Sequence, residues 1–268
     1  LARRYHACRE ELRLNRRLAP EIYRDVVAIT GSPEDPRVEG QGAAIEYAVK
    51  MRQFDPERQL DHELAGGRLG AEDMEAVARE VARFHDEAPR AEPTDDWGRP
   101  EQAMAPVREN FTHLRTSLAD APELLGRLEP LEAWAEARFE ALHDRLLERR
   151  AGGHVRECHG DLHLSNLTRL ESGIRAFDCI EFNPALRWID TISDAAFLFM
   201  DLLTRDRADL AWRFLNVYLE TSGDYRGVAL LRFYTAYRTL VRAKVAALQR
   251  SKQDDEAERR RLAERVAL

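Results

Sequence analysis

Residues 158–166 read CHGDLHLSN, and the fold of the whole chain turns on how they are taken. Two histidines, an aspartate, an asparagine, a serine and a cysteine fall within nine positions, the densest group of chemically capable side chains in the sequence. The next stretch, LTRLESGIRAFD (167–178), holds two short strand-like runs around Glu171-Ser172-Gly173. A three-residue connection ending in Gly predicts a hairpin, because Gly takes the left-handed conformation needed there. Leu170 then pairs with Ile174, Thr168 with Ala176 and Asn166 with Asp178, all on one side of the ribbon. Turn chemistry alone thus predicts that an amide oxygen meets a carboxylate, two hard oxygen ligands suited to Mg²⁺. Asp161 sits on the loop feeding the first strand.

A carboxylate, an Asn five residues on and a second carboxylate across a hairpin suit phosphoryl transfer from ATP. The first Asp accepts or orients the attacking hydroxyl, while the Asn and second Asp hold Mg²⁺ ions that bridge the phosphates. Positioning and charge neutralisation supply most of the rate in such a reaction. HGDLHLSN (159–166) resembles the HGDxxxxN catalytic loop of aminoglycoside phosphotransferases and related small-molecule kinases, which share the protein-kinase-like fold. IRAFDCIEFN (174–183) resembles their metal-binding segment and puts Asp178 where the DFG aspartate of protein kinases falls. RWIDTISDAAF (187–197) is similar to the helix whose aspartate braces the loop, here Asp194, and VARFHDEAP (81–89) to the LARxH helix.

That resemblance implies an α+β fold of two lobes, with residues 1–53 as the remainder of a truncated, β-containing N-lobe. Residues 54–268 are then a mainly helical C-lobe carrying the catalytic hairpin. ATP and Mg²⁺ are the implied cofactors and a small-molecule hydroxyl the acceptor; aminoglycosides are the nominal class, beside choline, sugars and homoserine. Asp161 is the implied catalytic residue, Asn166 and Asp178 the metal ligands. His159 is a structural donor to the loop, and Asp194, on an otherwise apolar helix, needs buried donors that the loop backbone would supply.

The N-terminal part offers a decoy. EGQGAAIEYAVKM (39–51) imitates a Gly-rich loop followed by the V-A-I-K strand of protein kinases, with Lys50 as the ATP lysine. The Gly-to-Lys spacing is too short for a loop plus two strands, and RQFDPERQL follows where a charged helix is required. Residues 3–18 are better read as the helix carrying the lysine's partner, Glu11, and Ala43–Met51 as the last strand before the linker. Met51, Arg52 and Gln53 then pass the adenine and offer backbone groups to its edge. The Gly-rich loop and ATP lysine are expected upstream of Leu1. The helical pattern is already running at Leu1 and still running at Leu268, so further domains are expected beyond either end.

The rest of the chain is read more coarsely. Tyr23–Thr30 is a strand and Gly31–Gly42 a loop. Helices are expected at Ala71–His85, 101–117, 122–150, 190–203, 206–221 and 226–250, with a charge-rich helix over 252–268. Asp190 reads as the N-cap of the helix starting at Thr191. Arg238 and Arg242, one turn apart, face either a substrate pocket or a salt-bridged surface. His163 carries no assignment, and Cys158 and Cys179 read as small buried hydrophobes.

Bulk composition sets the remaining bounds. At 268 residues and 44% hydrophobic the chain can bury a substantial core. A net charge of −7 argues against nucleic acid as a partner for the molecule as a whole. The longest apolar run, Ala195–Met200, breaks at Asp201, far short of a membrane span. Three cysteines without a CxxC pair point to the reducing cytoplasm. Two other functions stay open: a nucleotide-binding pseudokinase without turnover, and a metal hydrolase in which His159, Asp161 and His163 alternate along a strand and ligate Zn²⁺.

Overall fold

The computed structural model describes residues 1–251; the charge-rich helix expected over 252–268 lies outside the described residues. The first helix, α1 (Ala2–Asn15), packs on a three-stranded antiparallel sheet of β1 (Tyr23–Ser32), β2 (Asp35–Val38) and β3 (Ala44–Met51), in the order β2-β1-β3. Strand β2 corrects the reading of Gly31–Gly42 as loop, with Ser32 paired to Asp35 and Ile29 to Val38. Its sequence, Asp-Pro-Arg-Val, is exposed at every position and lies at the sheet edge, where a proline loses no ladder bond. Such a strand leaves no hydrophobic period to read.

Beyond the linker come α2 (Leu60–Ala65), α3 (Ala71–Glu87), α4 (Pro100–Ser117), α5 (Pro122–Leu125) and α6 (Leu128–Ala151). The single helix expected over 122–150 is therefore two, interrupted at Gly126 and Arg127. Strand β4 (Val155–Glu157) pairs antiparallel with β7 (Trp188–Asp190), bracketing the hairpin β5 (Leu167–Leu170) and β6 (Gly173–Ala176). The described residues end with α7 (Thr191–Leu203), α8 (Ala208–Ser222) and α9 (Val228–Ser251). Every residue of α7 from Thr191 to Leu202 is buried, because α8 and α9 pack against it. Among the described residues, no helix is long and apolar enough to cross a membrane.

Buried apolar side chains form two clusters. The larger joins α3, α4, α6, α7, α8 and α9; the smaller comprises Leu12, Ala19, Ile22, Tyr23 and Phe177. Phe177 is the residue before Asp178, so the exit of the hairpin is rooted in the N-terminal cluster, where its ring meets Phe54 edge-on at 5.0 Å. A buried ion triad ties the helical part together. Arg149 of α6 makes paired bonds to Asp190, the N-cap of α7, at 2.6 and 2.8 Å, and to Asp224, just before α9, at 2.7 Å each. Desolvating these three charges is offset only by this complete bidentate geometry.

Candidate active site

The hairpin register differs by one residue from the sequence expectation. Leu167 pairs with Ala176 and Leu170 with Gly173, leaving a two-residue turn of Glu171 and Ser172. Asn166 therefore stands opposite Phe177, whose N–H donates to the Asn166 carbonyl at 3.0 Å, and not opposite Asp178. Asp178 follows with φ of +65°, a left-handed conformation rare for residues other than Gly. The direction of its carboxylate is thus set by a backbone kink and not by strand alternation. Two bonds from the N-terminal part hold that kink: Asp178 N–H donates to the Tyr23 hydroxyl at 3.1 Å, and Cys179 N–H to the Asn15 amide oxygen at 2.9 Å.

Residues 158–163 are irregular, not a strand, which removes the alternation that would put His159, Asp161 and His163 on one face. His159 is buried; its Nε2 donates to the Phe177 carbonyl at 2.8 Å, and its Nδ1 accepts the Asp161 N–H at 3.3 Å. The bond to the Phe177 carbonyl places a proton on Nε2. His163 is also buried, its ring against Phe197 and its Nε2 3.3 Å from Asp161 Oδ2. Gly160, at φ +88°, is fixed by crowding: a Cβ there would stand 2.8 Å from the Leu186 carbonyl oxygen.

Asp161 and Asn166 are joined directly. The Asn166 amide donates to the Asp161 carbonyl at 3.0 Å and to its carboxylate at 3.1 Å, leaving the amide oxygen as the side chain's free acceptor. The Asp161 side chain keeps 33% of its surface accessible. Burial works against its charge, but the hydrogen bond and charge of His163, with His159 and Arg238 behind, outweigh that and hold the carboxyl below its ordinary value.

The loop is braced from beneath at two points. Asp194, fully buried, accepts from His159 N–H at 3.0 Å and Gly160 N–H at 2.9 Å, and from His85 of α3 at 3.0 Å; His85 in turn meets the Tyr218 hydroxyl at 2.9 Å. Burial opposes ionisation of Asp194 too, yet His85, followed by His159 and Arg238, brings it down to about 2. Seven residues along α7, Asp201 accepts the Leu164 N–H at 3.0 Å. From α9, Arg238 donates to the Gly160 carbonyl at 3.1 Å and to Ser193, and Arg242 to Asp201 at 3.0 Å. Arg242 is thus salt-bridged, as one of the two expectations had it, and Arg238 is buried beneath the loop. Asp201, Asn15 and Tyr23 carried no site role in the sequence reading, and Arg238 and Arg242 were placed only on a substrate pocket or a salt-bridged surface. The signal available was a pair of aspartates two turns apart on an otherwise apolar helix.

Glu11 of α1 is half-buried, and burial, then the charges of Glu181 and Asp178, push its carboxyl up to about 7. Among the described residues no Lys or Arg pairs with it. Lys50 is engaged elsewhere, with Glu39 at 2.8 Å on the exposed sheet surface, so the decoy lysine does not reach Glu11. Asp178, Glu11 and Glu181 therefore act on one another electrostatically, and carboxylates of this kind, with an amide oxygen such as that of Asn166, are the chemistry a hard divalent cation takes. The His85, Cys158 and Asp194 side chains also lie close together, but their polar atoms are committed to the bracing network and to the Ile189 carbonyl.

At the linker, Met51 is exposed and pairs with Tyr23 in the sheet, while Gln53 lines a cleft of about 510 Å³ with Ile22, Phe54 and Leu170. The Arg52 N–H is bound to the Ile22 carbonyl at 2.7 Å and so is not offered to an adenine edge.

No family model matches the chain. Uncharacterized proteins of Mycobacterium tuberculosis and Mycobacterium bovis are 32% identical to it over 257 residues, an alignment covering 95% of this chain and 49% of each relative. The chain thus spans about half the length of the curated relatives it matches. An ethanolamine kinase of Plasmodium vivax superposes with a TM-score of 0.53 at 13% identity, covering 98% of this chain and 71% of the other. A choline kinase from Cryptosporidium parvum gives 0.51 at 12% identity, over 89% and 71% respectively. With its arrangement of sheet, hairpin and helices, the chain has the kinase-like α+β fold of these structures.

Proposed function

We propose that the chain is the catalytic part of an ATP- and Mg²⁺-dependent phosphotransferase acting on a hydroxyl of a small molecule. The observation that carries this reading is the direct bond between Asp161 and Asn166 on a loop held at both ends, with Asp178 turned out of the hairpin next to Asn166's partner. Asp161, charged and partly open, takes the proton of the attacking hydroxyl. Its orientation comes from Asn166 and His163. Asn166, through its amide oxygen, and Asp178 hold the metal, with Glu11 and Glu181 adding to the local negative field. Bound there, Mg²⁺ would neutralise charge developing on the transferred phosphoryl group. His159 and Asp194 position the loop and touch no reacting atom.

On this reading residues 1–53 belong to the smaller lobe and 54–268 to the larger one, with Met51 and Gln53 passing the adenine. On the same reading the protein works in the cytoplasm. The lack of a basic partner for Glu11 among the described residues favours one second reading, nucleotide binding without turnover.

The test is product formation from ATP by the protein and by Asp161→Asn and Asp178→Ala. Asp161→Asn should lower turnover about 10²–10⁴-fold and leave Mg-ATP binding intact, whereas Asp178→Ala should weaken both. Equal turnover by Asp161→Asn and the parent would remove the catalytic assignment.

A further inference from the structure

Between the N-terminal part and the catalytic loop lies a cluster of charged side chains that the candidate site does not use. Its centre is Glu157, the last residue of β4, whose side chain is only 4% exposed. From α1, Arg13 makes a two-pronged bond to the Glu157 carboxylate at 2.7 and 3.0 Å. Arg17, one turn further along α1, donates to the Glu157 carbonyl at 2.8 Å and to the carboxylate at 3.3 Å. From the other side the buried Arg187 donates to the same carboxylate at 3.1 Å. Arg187 also reaches the segment that follows Asp178, donating to the carbonyls of Ile180 at 3.4 Å and Glu181 at 3.2 Å, and it meets Glu10 of α1 at 3.4 Å. Glu10 closes the ring by accepting from Arg13 at 2.9 and 3.1 Å.

One carboxylate thus joins three parts of the chain, and each carries a residue of the candidate site. Helix α1 bears Glu11, the segment held by Arg187 begins at Asp178, and β4 runs directly into the loop of Asp161. The partners of Glu157 stand 144, 140 and 30 positions away, so no local structure requires the cluster. Burial opposes the charge of Glu157, but the Arg13 hydrogen bond and the charges of Arg17, Arg13 and Arg187 hold its carboxyl below the ordinary value. A buried cluster of this kind is a poor source of stability, because desolvation cancels much of the attraction. What it fixes well is registry, since a shifted partner leaves a charge unpaired. Registry matters for phosphotransfer, in which α1, the segment after Asp178 and the loop must meet in one arrangement around the nucleotide and its metal.

We propose that Glu157 is a positioning residue: through Arg13, Arg17 and Arg187 it locks α1 and the segment after Asp178 onto the strand that feeds the catalytic loop, and so keeps the nucleotide and metal half of the site seated before Mg-ATP arrives. The proposal rests on the phosphotransfer reading above. Glu157 touches no reacting atom. With the lock removed, α1 and Asp178 are seated in only a fraction of the molecules, and the apparent affinity for Mg-ATP falls by that fraction. Mg-ATP binds the seated form, so saturation restores it.

The experiment measures Mg-ATP binding by titration calorimetry and amide exchange by mass spectrometry, in the parent and in Glu157→Gln, Arg13→Gln and Arg13→Lys. Arg13, with 45% of its side chain exposed, gives a variant that folds should Glu157→Gln, which strands the buried Arg187, fail to do so. Either glutamine variant should bind Mg-ATP about tenfold more weakly than the parent. Exchange should rise at 8–17 and 178–182 in the free protein and return to the parent's level at saturating Mg-ATP. Arg13→Lys keeps the charge without the two-pronged fork and should fall between the parent and Arg13→Gln. The double variant Glu157→Gln, Arg13→Gln should bind within about twofold of the weaker single one, because both changes break the same lock. Parental Mg-ATP affinity in the glutamine variants overturns the proposal. So does exchange that stays raised at saturating Mg-ATP, the mark of a structural role alone, and so does a double variant weakened by about the product of the single losses. A parent protein that takes up no Mg-ATP overturns the phosphotransfer reading instead, and the positioning role falls with it.

Discussion

The two halves of the candidate site are held in opposite ways. The loop at 159–164 rests on ionised groups buried in the helical core: Asp194 and Asp201 from α7 receive its backbone N–H groups, and Arg238 from α9 grips its carbonyl. The segment at 178–179 hangs instead from neutral groups of the N-terminal part, the Tyr23 hydroxyl and the Asn15 amide. Hydrogen bonds to charged groups contribute more than neutral ones, and burial protects them from salt. The loop bearing Asp161 is therefore rigidly built into the helical core, whereas the segment bearing Asp178 takes its position from α1 and β1. A movement of the N-terminal part would displace Asp178 and leave Asp161 where it is.

The sharpest way to break this contrast is Asp194→Ala. It strands two buried N–H groups and His85, and should cost about 3–5 kcal/mol, read as a fall in the denaturation midpoint together with loss of turnover. Because the folded Asp194 carboxyl lies at about 2, below its ordinary 3.8, its contribution is fully present above pH 4 and fades as pH falls from there towards 2. The parent should lose stability in that window and Asp194→Asn should show a flatter profile there. Next in size, Asn15→Leu leaves the Cys179 N–H unpaired and should cost about 1–3 kcal/mol. It should also weaken Mg-ATP binding more than it affects exchange protection at 159–164; equal loss of protection in both segments would erase the distinction drawn here.

Tyr23→Phe removes one neutral hydrogen bond and should cost about 1 kcal/mol, again seen first in Mg-ATP affinity. The smallest effect belongs to Glu11→Gln. Its carboxyl lies at about 7 against an ordinary 4.5, so the folded state holds the proton more tightly than the unfolded chain. Ionisation then costs stability as pH rises from 4.5 through 7, and the glutamine variant should gain on the parent at pH 8 and match it at pH 4. Glu11 is half exposed, so screening keeps that gain under about 1 kcal/mol. Mg²⁺ should raise the parent's melting temperature at pH 8 by more than that of Asp178→Ala.

The parts of this arrangement that were legible in the sequence are those whose chemistry is local. Asp161 and Asn166 lie five positions apart on one loop, and Asp194 stood out as a carboxylate in an apolar helix that had to find donors. Helices α3, α4 and α7 to α9 announced themselves by period and caps. Less legible were features settled by single-residue geometry. The register of β5 and β6 depends on whether the turn takes two residues or three, and Gly173 accommodates either. The direction of Asp178 depends on a left-handed kink that no pattern of apolar residues encodes. Strand β2 is polar, proline-bearing and exposed, and the partners of Cys179 and Asp178 come from residues more than 150 positions away.

The spacing of Asp194 and Asp201 has one more consequence. Two attachment points on a rod of fixed rise stand about 10 Å apart, so α7 acts as a gauge against which the span of the loop above it is set. Inserting one residue between Ala196 and Phe199 would turn the second carboxylate by about 100° and carry it out from under Leu164, even though every side chain of the loop were still present. Lengths here are under tighter constraint than identities: this helix should tolerate swaps among Ala, Leu, Phe and Met far better than the gain or loss of a single position.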